Sequence, residues 1–528
     1  MKKQIYAIII TVTFAAVAPI QSFAQKIYTL PSPLNQHLIS ETQPCLSANG
    51  RTMVYRADSG EDNEEEIVIS HQKSGRWSRP QPVPGINTRG KVFTSQHHLS
   101  ADGNTIVFTS NRYGGLGDKD LWYVEKTASG GWTAPQNFGK PINSSEGEGD
   151  PALSPDGRSL YFVKYNGQKS PSGLPCGTIM VSKMKGRNMW EEPAPLPAPI
   201  NKGCECNPRL LSDGRTMTFA SVRDGGKGGF DQYITQMGSN GEWSEPKPFE
   251  PVNTEEDDLY ITIPASGKLV YFSAIKNDER GIAMTMIPEH LQPDPVMLQF
   301  GNISDSDGNK LNARLILTDL NTEDMTIFNN GPDGSYLLCL PKNKSLDFAI
   351  QANETGYFWY STPVNTDSLD TYKEVVKNIT LEKVVSGFTV DLKDIDFTTA
   401  SKEFTGHSTH QLNRLARLIK DLPEKKFYIS IAYPEIISDT IHHEELTEVK
   451  HDTLEKILPQ ESEDDIIEKK EFIIQTIYHN DRTQREANLI ETYLTKKGVQ
   501  PLRLKAEGLG APKNKTVDKP RTITLRVE

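Results

Sequence analysis

Leu153-Ser-Pro-Asp-Gly157, followed directly by Ser159-Leu-Tyr-Phe162, is the stretch on which the fold of this chain turns. Proline presets one turn dihedral, aspartate bonds its own backbone and glycine supplies a positive φ, so the first five residues read as a tight turn. The aromatic and apolar run after it reads as a strand. The pair recurs at Leu46-Ser-Ala-Asn-Gly50, Leu99-Ser-Ala-Asp-Gly103, Leu211-Ser-Asp-Gly214 and Pro264-Ala-Ser-Gly267, with the glycines 53 to 57 residues apart. Trp77, Trp132, Trp190 and Trp243 each precede a proline by three residues. Asn87, Asn143, Asn201 and Asn253 follow them ten or eleven residues later. A fixed period of this kind signals a stacked or ring architecture.

Several short strands per period predict a four-stranded antiparallel blade, and five periods predict a propeller of about five blades over residues 25–292. Pro33-Leu34-Asn35 matches the Pro-Ile-Asn that ends other units, so the first residues are expected to complete the last blade. The glycine-rich loops Asn111-Arg-Tyr-Gly-Gly-Leu-Gly-Asp118 and Val222-Arg-Asp-Gly-Gly-Lys-Gly-Gly229 join strands and lead into no helix, so they read as turns and not as phosphate cradles. The Ser-Pro-Asp-Gly turn and the Arg-x-Gly-Gly loop resemble the PD-type β-propeller repeats, WD40-like relatives of the TolB propeller. That resemblance implies a fold and no ligand. Glu41, Glu148, Glu205 and Asp258 share one repeat position near one propeller end, with Thr94 in the second unit. Such carboxylates either ring a cation or basic peptide, or each cap their own turn or pair with arginines such as Arg112 and Arg223.

Residues 293–385 read as a small antiparallel sandwich, similar to the carboxypeptidase regulatory-like domain. Asp305-Ser-Asp-Gly-Asn309 opens like a calcium loop but lacks the glutamate at loop position twelve, so a turn is expected. Residues 386–528 alternate strands with two amphipathic helices, and their order resembles the OmpA-like domain, which implies peptidoglycan binding through an aspartate and an arginine. Here the matching positions hold Glu435 and Glu486, with Arg485 one residue early. An alternative register takes Ile473–Tyr478 as the second strand and Asp481 as the acidic partner. Glu435, Asp481 and Arg485 are thus the peptidoglycan-binding candidates. The intervening segment, about 436–471, is dense in Asp and Glu and reads as a solvated or mobile surface.

Lys2, Lys3, the apolar run Ile5–Val17 and Ser22-Phe-Ala24 predict a signal peptide cleaved after residue 24. A net charge of −11 argues against nucleic acid and anionic lipid as partners. Five cysteines leave at least one unpaired, and a bridge from Cys176 to Cys204 or Cys206 is expected. The assembly resembles PorE-like envelope proteins. It predicts a non-enzymatic periplasmic scaffold, associated with the outer membrane through protein partners, with no membrane span, no cofactor and no metal. The alternatives are a propeller-based binder of a small ligand or cation, and a carboxylate-based glycan-cleaving enzyme. No nucleophile elbow and no zinc-protease motif is present.

Overall fold

The computed structural model describes residues 26–36, 39–58, 65–88, 92–186, 189–276, 279–398, 403–433, 437–439, 448–461, 466–480, 482–510 and 521–528. The segment expected to be a signal peptide lies outside them. Five sheet units follow one another, each beginning with an inner strand: Glu41–Leu46, Thr94–Leu99, Gly147–Leu153, Glu205–Leu210, and a short bridged segment at Thr262. Each is followed by antiparallel neighbours, and the third and fourth units share one pairing, Gly177 with Glu205.

Apolar residues cluster between consecutive units, which is where stacking blades must bury their faces. Cys45, Val54 and Ile67 meet Leu99, Ile106 and Phe108 between the first two units. Val107 and Leu121 meet Leu160 and Phe162 at the next boundary. Ile179 meets Met217 and Phe219 at the third, and Ile234 and Phe249 meet Val270 and Phe272 at the fourth. The fifth joins Ile282 of the last unit to Leu46, Met53 and Tyr55 of the first, with Leu30 and Leu34 between them. Five boundaries for five units close a ring, so this half of the chain is a β-propeller. Tyr28–Thr29 pairs with Ala283–Met284, so the first described strand completes the last unit.

The repeated asparagines are clamps. Asn143 accepts from the Leu121 N–H and donates to the Leu121 carbonyl, both at 2.9 Å. Asn87, Asn201 and Asn253 do the same at Ile67, Ile179 and Gln232. Asn35 does so at Ile282, 247 residues away. One amide thus takes the free N–H of a strand residue and shares its carbonyl with a backbone N–H of the segment that follows.

Two four-stranded sheets over Val296–Leu381 pack face to face around Leu315, Leu338, Phe348 and Ile350. Asp305 takes the N–H groups of Asp307 and Asn309 and the Asn309 amide, which makes it a turn anchor. In the last unit the strands Thr389–Asp391, Thr522–Val527, Phe427–Ala432 and Leu504–Gly510 lie in that order, with helices α1 (Ser408–Asp421) and α2 (Thr483–Lys496). Their core joins Leu412, Leu415 and Ile419 to Ile429, Ile490 and Leu525.

The acidic segment differs from expectation. Its described parts are extended: Glu448–Glu461 pairs antiparallel with Ile466–Asn480 over their whole length. The runs Thr453-Leu454 and Phe472-Ile-Ile474 carry strand propensity that the charge density obscured. Ile473–Tyr478 therefore belongs to this hairpin, and Phe427–Ala432 occupies the sheet position that the alternative register assigned to it.

Candidate functional site

Every inner strand of the propeller has the same irregularity. Gln43, Gln96, Asp150, Asn207 and Tyr260 stand at one repeat position, and all have φ between 49° and 57°. In the first four units the ladder slips at that point, between Thr42 and Cys45, Ser95 and His98, Gly149 and Ala152, and Cys206 and Arg209. A bulge of this kind bends the strand and re-aims one side chain. Left-handed backbone in non-glycine residues costs of order 1–3 kcal/mol each and concentrates where function over-determines the structure.

The five side chains meet. Ser95 Oγ and the Gln96 N–H both donate to Gln43 Oε1 at 3.1 Å. Asn207 Nδ2 donates to Asp150 Oδ1 at 2.7 Å. Tyr260 stands beside the amides of Asn207 and Gln96, which partly offset the effect of burial on its phenol. Between Gln96 and Asp150 stands Tyr165, whose hydroxyl accepts from Gln96 Nε2 at 2.8 Å and donates to Asp150 Oδ2 at 3.5 Å. Tyr165 gets there by crossing Gly149, where a Cβ would lie 2.3 Å from the phenolic oxygen. Glycine is required at that position for close approach, not for a turn.

Burial sets the chemistry of this hub. Asp150 is 1 % exposed, and burial raises its pKa to about 6 although Arg209 and the Asn207 hydrogen bonds pull the other way. Burial also holds the Tyr165 and Tyr260 phenols well above their usual range and lowers His97 to about 4. Arg209 lies in the wall, donating to the carbonyls of Pro151, Pro208 and His97. Gln96 Oε1 and Asn207 Oδ1 are buried with no hydrogen-bond partner among the described residues. Two orphaned acceptors beside a weakly acidic carboxyl and two neutral phenols suit a ligand that brings hydroxyl donors.

The acidic positions singled out from the repeat stand two residues earlier, and each folds onto its own loop. Glu41 accepts from the Gln36 N–H, Glu148 from the Ser144 N–H and hydroxyl, and Asp258 from the Thr254 N–H and hydroxyl. Glu205 takes the N–H groups of Lys202 and Gly203 and the Arg223 guanidinium at 3.1 Å. The glycine-rich loops likewise wrap Asp120 and Asp231. Cys176 is bridged to Cys204, while Cys45, Cys206 and Cys339 are free.

In the last unit Glu435 and Asp481 lie outside the described residues. Arg485 is half-buried on α2. Its neighbour Glu486 is 1 % exposed, accepts from the Tyr433 hydroxyl at 2.9 Å and faces Arg521 at 3.5 Å. Among the described residues no group of three or more His, Cys, Asp or Glu could hold a metal ion, and no helix is long and apolar enough to cross a membrane.

A propeller with a polar hub is the class of protein that fold and site define. No protein-family model matches the chain, and no curated protein does. Solved structures do share its architecture. An α-L-arabinofuranosidase from Lactobacillus brevis is 13% identical over 54% of this chain and 95% of its own, with a TM-score of 0.34. The Penicillium chrysogenum α-L-arabinanase, solved with arabinobiose, is 10% identical over 48% and 78%, at 0.31. A prolyl endopeptidase is 12% identical over 60% of this chain, at 0.28, and the present chain spans about half, 54%, of its length. These likenesses concern fold. The expectation of a non-enzymatic scaffold is corrected to this extent: propellers similar to this chain are glycan-cleaving enzymes, and a fold by itself assigns no role and excludes none. The physical reason is that a propeller hub draws one side chain from each of five distant strands. A catalytic set built that way leaves no contiguous motif, and the absence of motifs was the ground for excluding catalysis.

Proposed function

We propose that the hub is a glycan-acting site in which Asp150 donates a proton to a glycosidic oxygen. The observation that carries this is Asp150 itself, a buried carboxyl poised near pH 6 on the propeller axis beside unpaired acceptors. A general acid works best with a pKa near the operating pH. Protonation of the leaving oxygen accompanies breakage of the C–O bond, and water adds at the anomeric carbon with loss of a proton to a second carboxylate. Asp257 is the carboxylate offered for that role: it is half-buried, its charge, like that of Asp150, reaches the Cys206 thiol at the hub wall, and although its Oδ1 accepts from the Phe230 N–H at 2.8 Å its second oxygen remains to take a proton. Gln96 and Asn207 bind sugar hydroxyls, and the arriving ring displaces Tyr165 from Asp150.

The leader favours glycans of the cell envelope or beyond it as substrates. The resemblance of the last unit to OmpA-like domains is supported by its sheet, in which the first strand lies beside the fourth, then the second and third. Glu486 in place of an arginine speaks against carrying over that family's ligand contacts.

The test is release of reducing ends from a panel containing arabinan, xylan and peptidoglycan. Wild-type protein releases them from at least one substrate, and Asp150→Asn reduces the rate by 100-fold or more, on the order expected for loss of general acid catalysis. Four of the five hub positions are neutral, and that favours a second reading, retention of a saccharide without cleavage. Binding with no release by wild type would select it.

A further inference from the structure

A cavity of about 590 Å³ lies away from the hub, between the turn-bearing end of the propeller and the sandwich. Cavities of roughly 300–1,000 Å³ hold small ligands. The domains around it are fixed to each other. Ala48 and Ala265 of two propeller turns are buried against Val296 and Leu298 of the sandwich, and Arg158 of the Ser-Pro-Asp-Gly turn donates to the Ile327 carbonyl at 2.7 Å. Arg51 pairs with Glu374 at 2.7 Å across the same boundary.

Its propeller wall is a row of three half-buried rings, Tyr123, Phe138 and Trp190, with centroids 4.8 and 5.9 Å apart. Leu317 and Phe328 line the sandwich wall. Aromatic faces left wet beside a void lose the burial they would gain against a ligand. Six carboxylates stand among the hydroxyls and amides of the lining, and the buried ones are engaged. Asp319 is paired with Lys344 at 2.7 Å, Asp156 accepts from Ser154 and the Arg158 N–H, and Asp324 accepts from Thr322. Acidic groups disfavour fatty acids and phosphates. Their engagement leaves no bare buried charge to attract a cation. Spare lone pairs on them still accept from hydroxyls.

From that combination we infer a second ligand site between propeller and sandwich, one that binds a neutral saccharide with its C–H face on Tyr123, Phe138 and Trp190 and its hydroxyls on the carboxylates. It is separate from the hub and does not depend on hub chemistry.

Full-length protein carrying Asp150→Asn, so that nothing is cleaved during the titration, is titrated calorimetrically with arabino-, xylo-, cello- and chito-oligosaccharides, alone and with Trp190→Ala or Thr326→Trp added. Thr326 lines the cavity from the sandwich side, so its replacement fills the void without disturbing the aromatic row. At least one oligosaccharide binds in the cavity. Trp190→Ala and Thr326→Trp each weaken that event about tenfold or more, as expected for loss of an aromatic anchor, while a saccharide held at the hub is unaffected. Should Trp190→Ala unfold, Thr326→Trp decides alone. No binding of any of the four, or a titration that Thr326→Trp leaves unchanged in both affinity and number of sites, overturns the assignment.

Discussion

Asp150 combines a left-handed backbone, full burial and a raised pKa, and each has a separate cost to folding. Its carboxyl titrates at about 6 in the folded chain against 3.8 for an ordinary aspartate. A carboxyl raised on folding contributes stability below its unfolded pKa, and that contribution is lost as pH rises through the folded value. Asp150→Asn, which keeps the shape and the acceptor for Asn207, is therefore expected to match the wild type near pH 4 and to exceed it above pH 7. The gain is at most about 3 kcal/mol, and melting temperatures at the two pH values read it. The same titration predicts that glycan cleavage declines as pH rises past about 6, which a pH–rate profile checks. Tyr165 is the other residue of interest at this scale. Tyr165→Phe removes the hydroxyl that accepts from Gln96 Nε2 and donates to Asp150 but keeps the ring over Gly149, so a loss of about 1–3 kcal/mol is predicted, read from urea unfolding.

Within the blades, the asparagine clamp holds the inner and outer parts of a unit together. Asn143 is 1 % exposed, and Asn143→Ala leaves the Leu121 N–H unpaired in the interior, its carbonyl keeping only the Phe138 N–H at 3.2 Å, a loss of about 1–3 kcal/mol visible in urea unfolding. These asparagines were legible in the sequence because one residue type does one job in every unit. So was the N-terminal piece, since Asn35 carries the same signature. The hub was not legible, because Gln43, Gln96, Asp150, Asn207 and Tyr260 have no chemistry in common. They share only a direction, toward the axis, and a backbone conformation. A signal did exist in three units, where the hub residue stands directly before Pro44, Pro151 and Pro208. The recurring carboxylates two positions earlier drew attention because they are alike, and they are alike because each caps the same loop. The acidic hairpin was obscured differently, its charge density outweighing short β-branched runs.

At the scale of the whole molecule, ring closure makes the first and last blades depend on each other across the full length of the propeller. Leu34 is fully buried between them. Leu34→Ala is expected to cost about 2–5 kcal/mol and to destabilise the propeller as a unit, because the boundary it weakens is the one that seals the ring. Calorimetry should then show one propeller transition shifted downward and not a local loss. The hub exists only while that ring is closed, so the site depends on the whole architecture. A glycan placed at the axis has hydroxyls on Gln96 and Asn207 and a glycosidic oxygen on residue 150. A crystal structure of Asp150→Asn with an uncleaved oligosaccharide tests this most directly. Sugar density is predicted at the hub, within hydrogen-bond distance of Gln96 Oε1 and Asn207 Oδ1, with Tyr165 moved aside. An undisturbed Tyr165 over an empty axis, at oligosaccharide concentrations that saturate the protein, would contradict it.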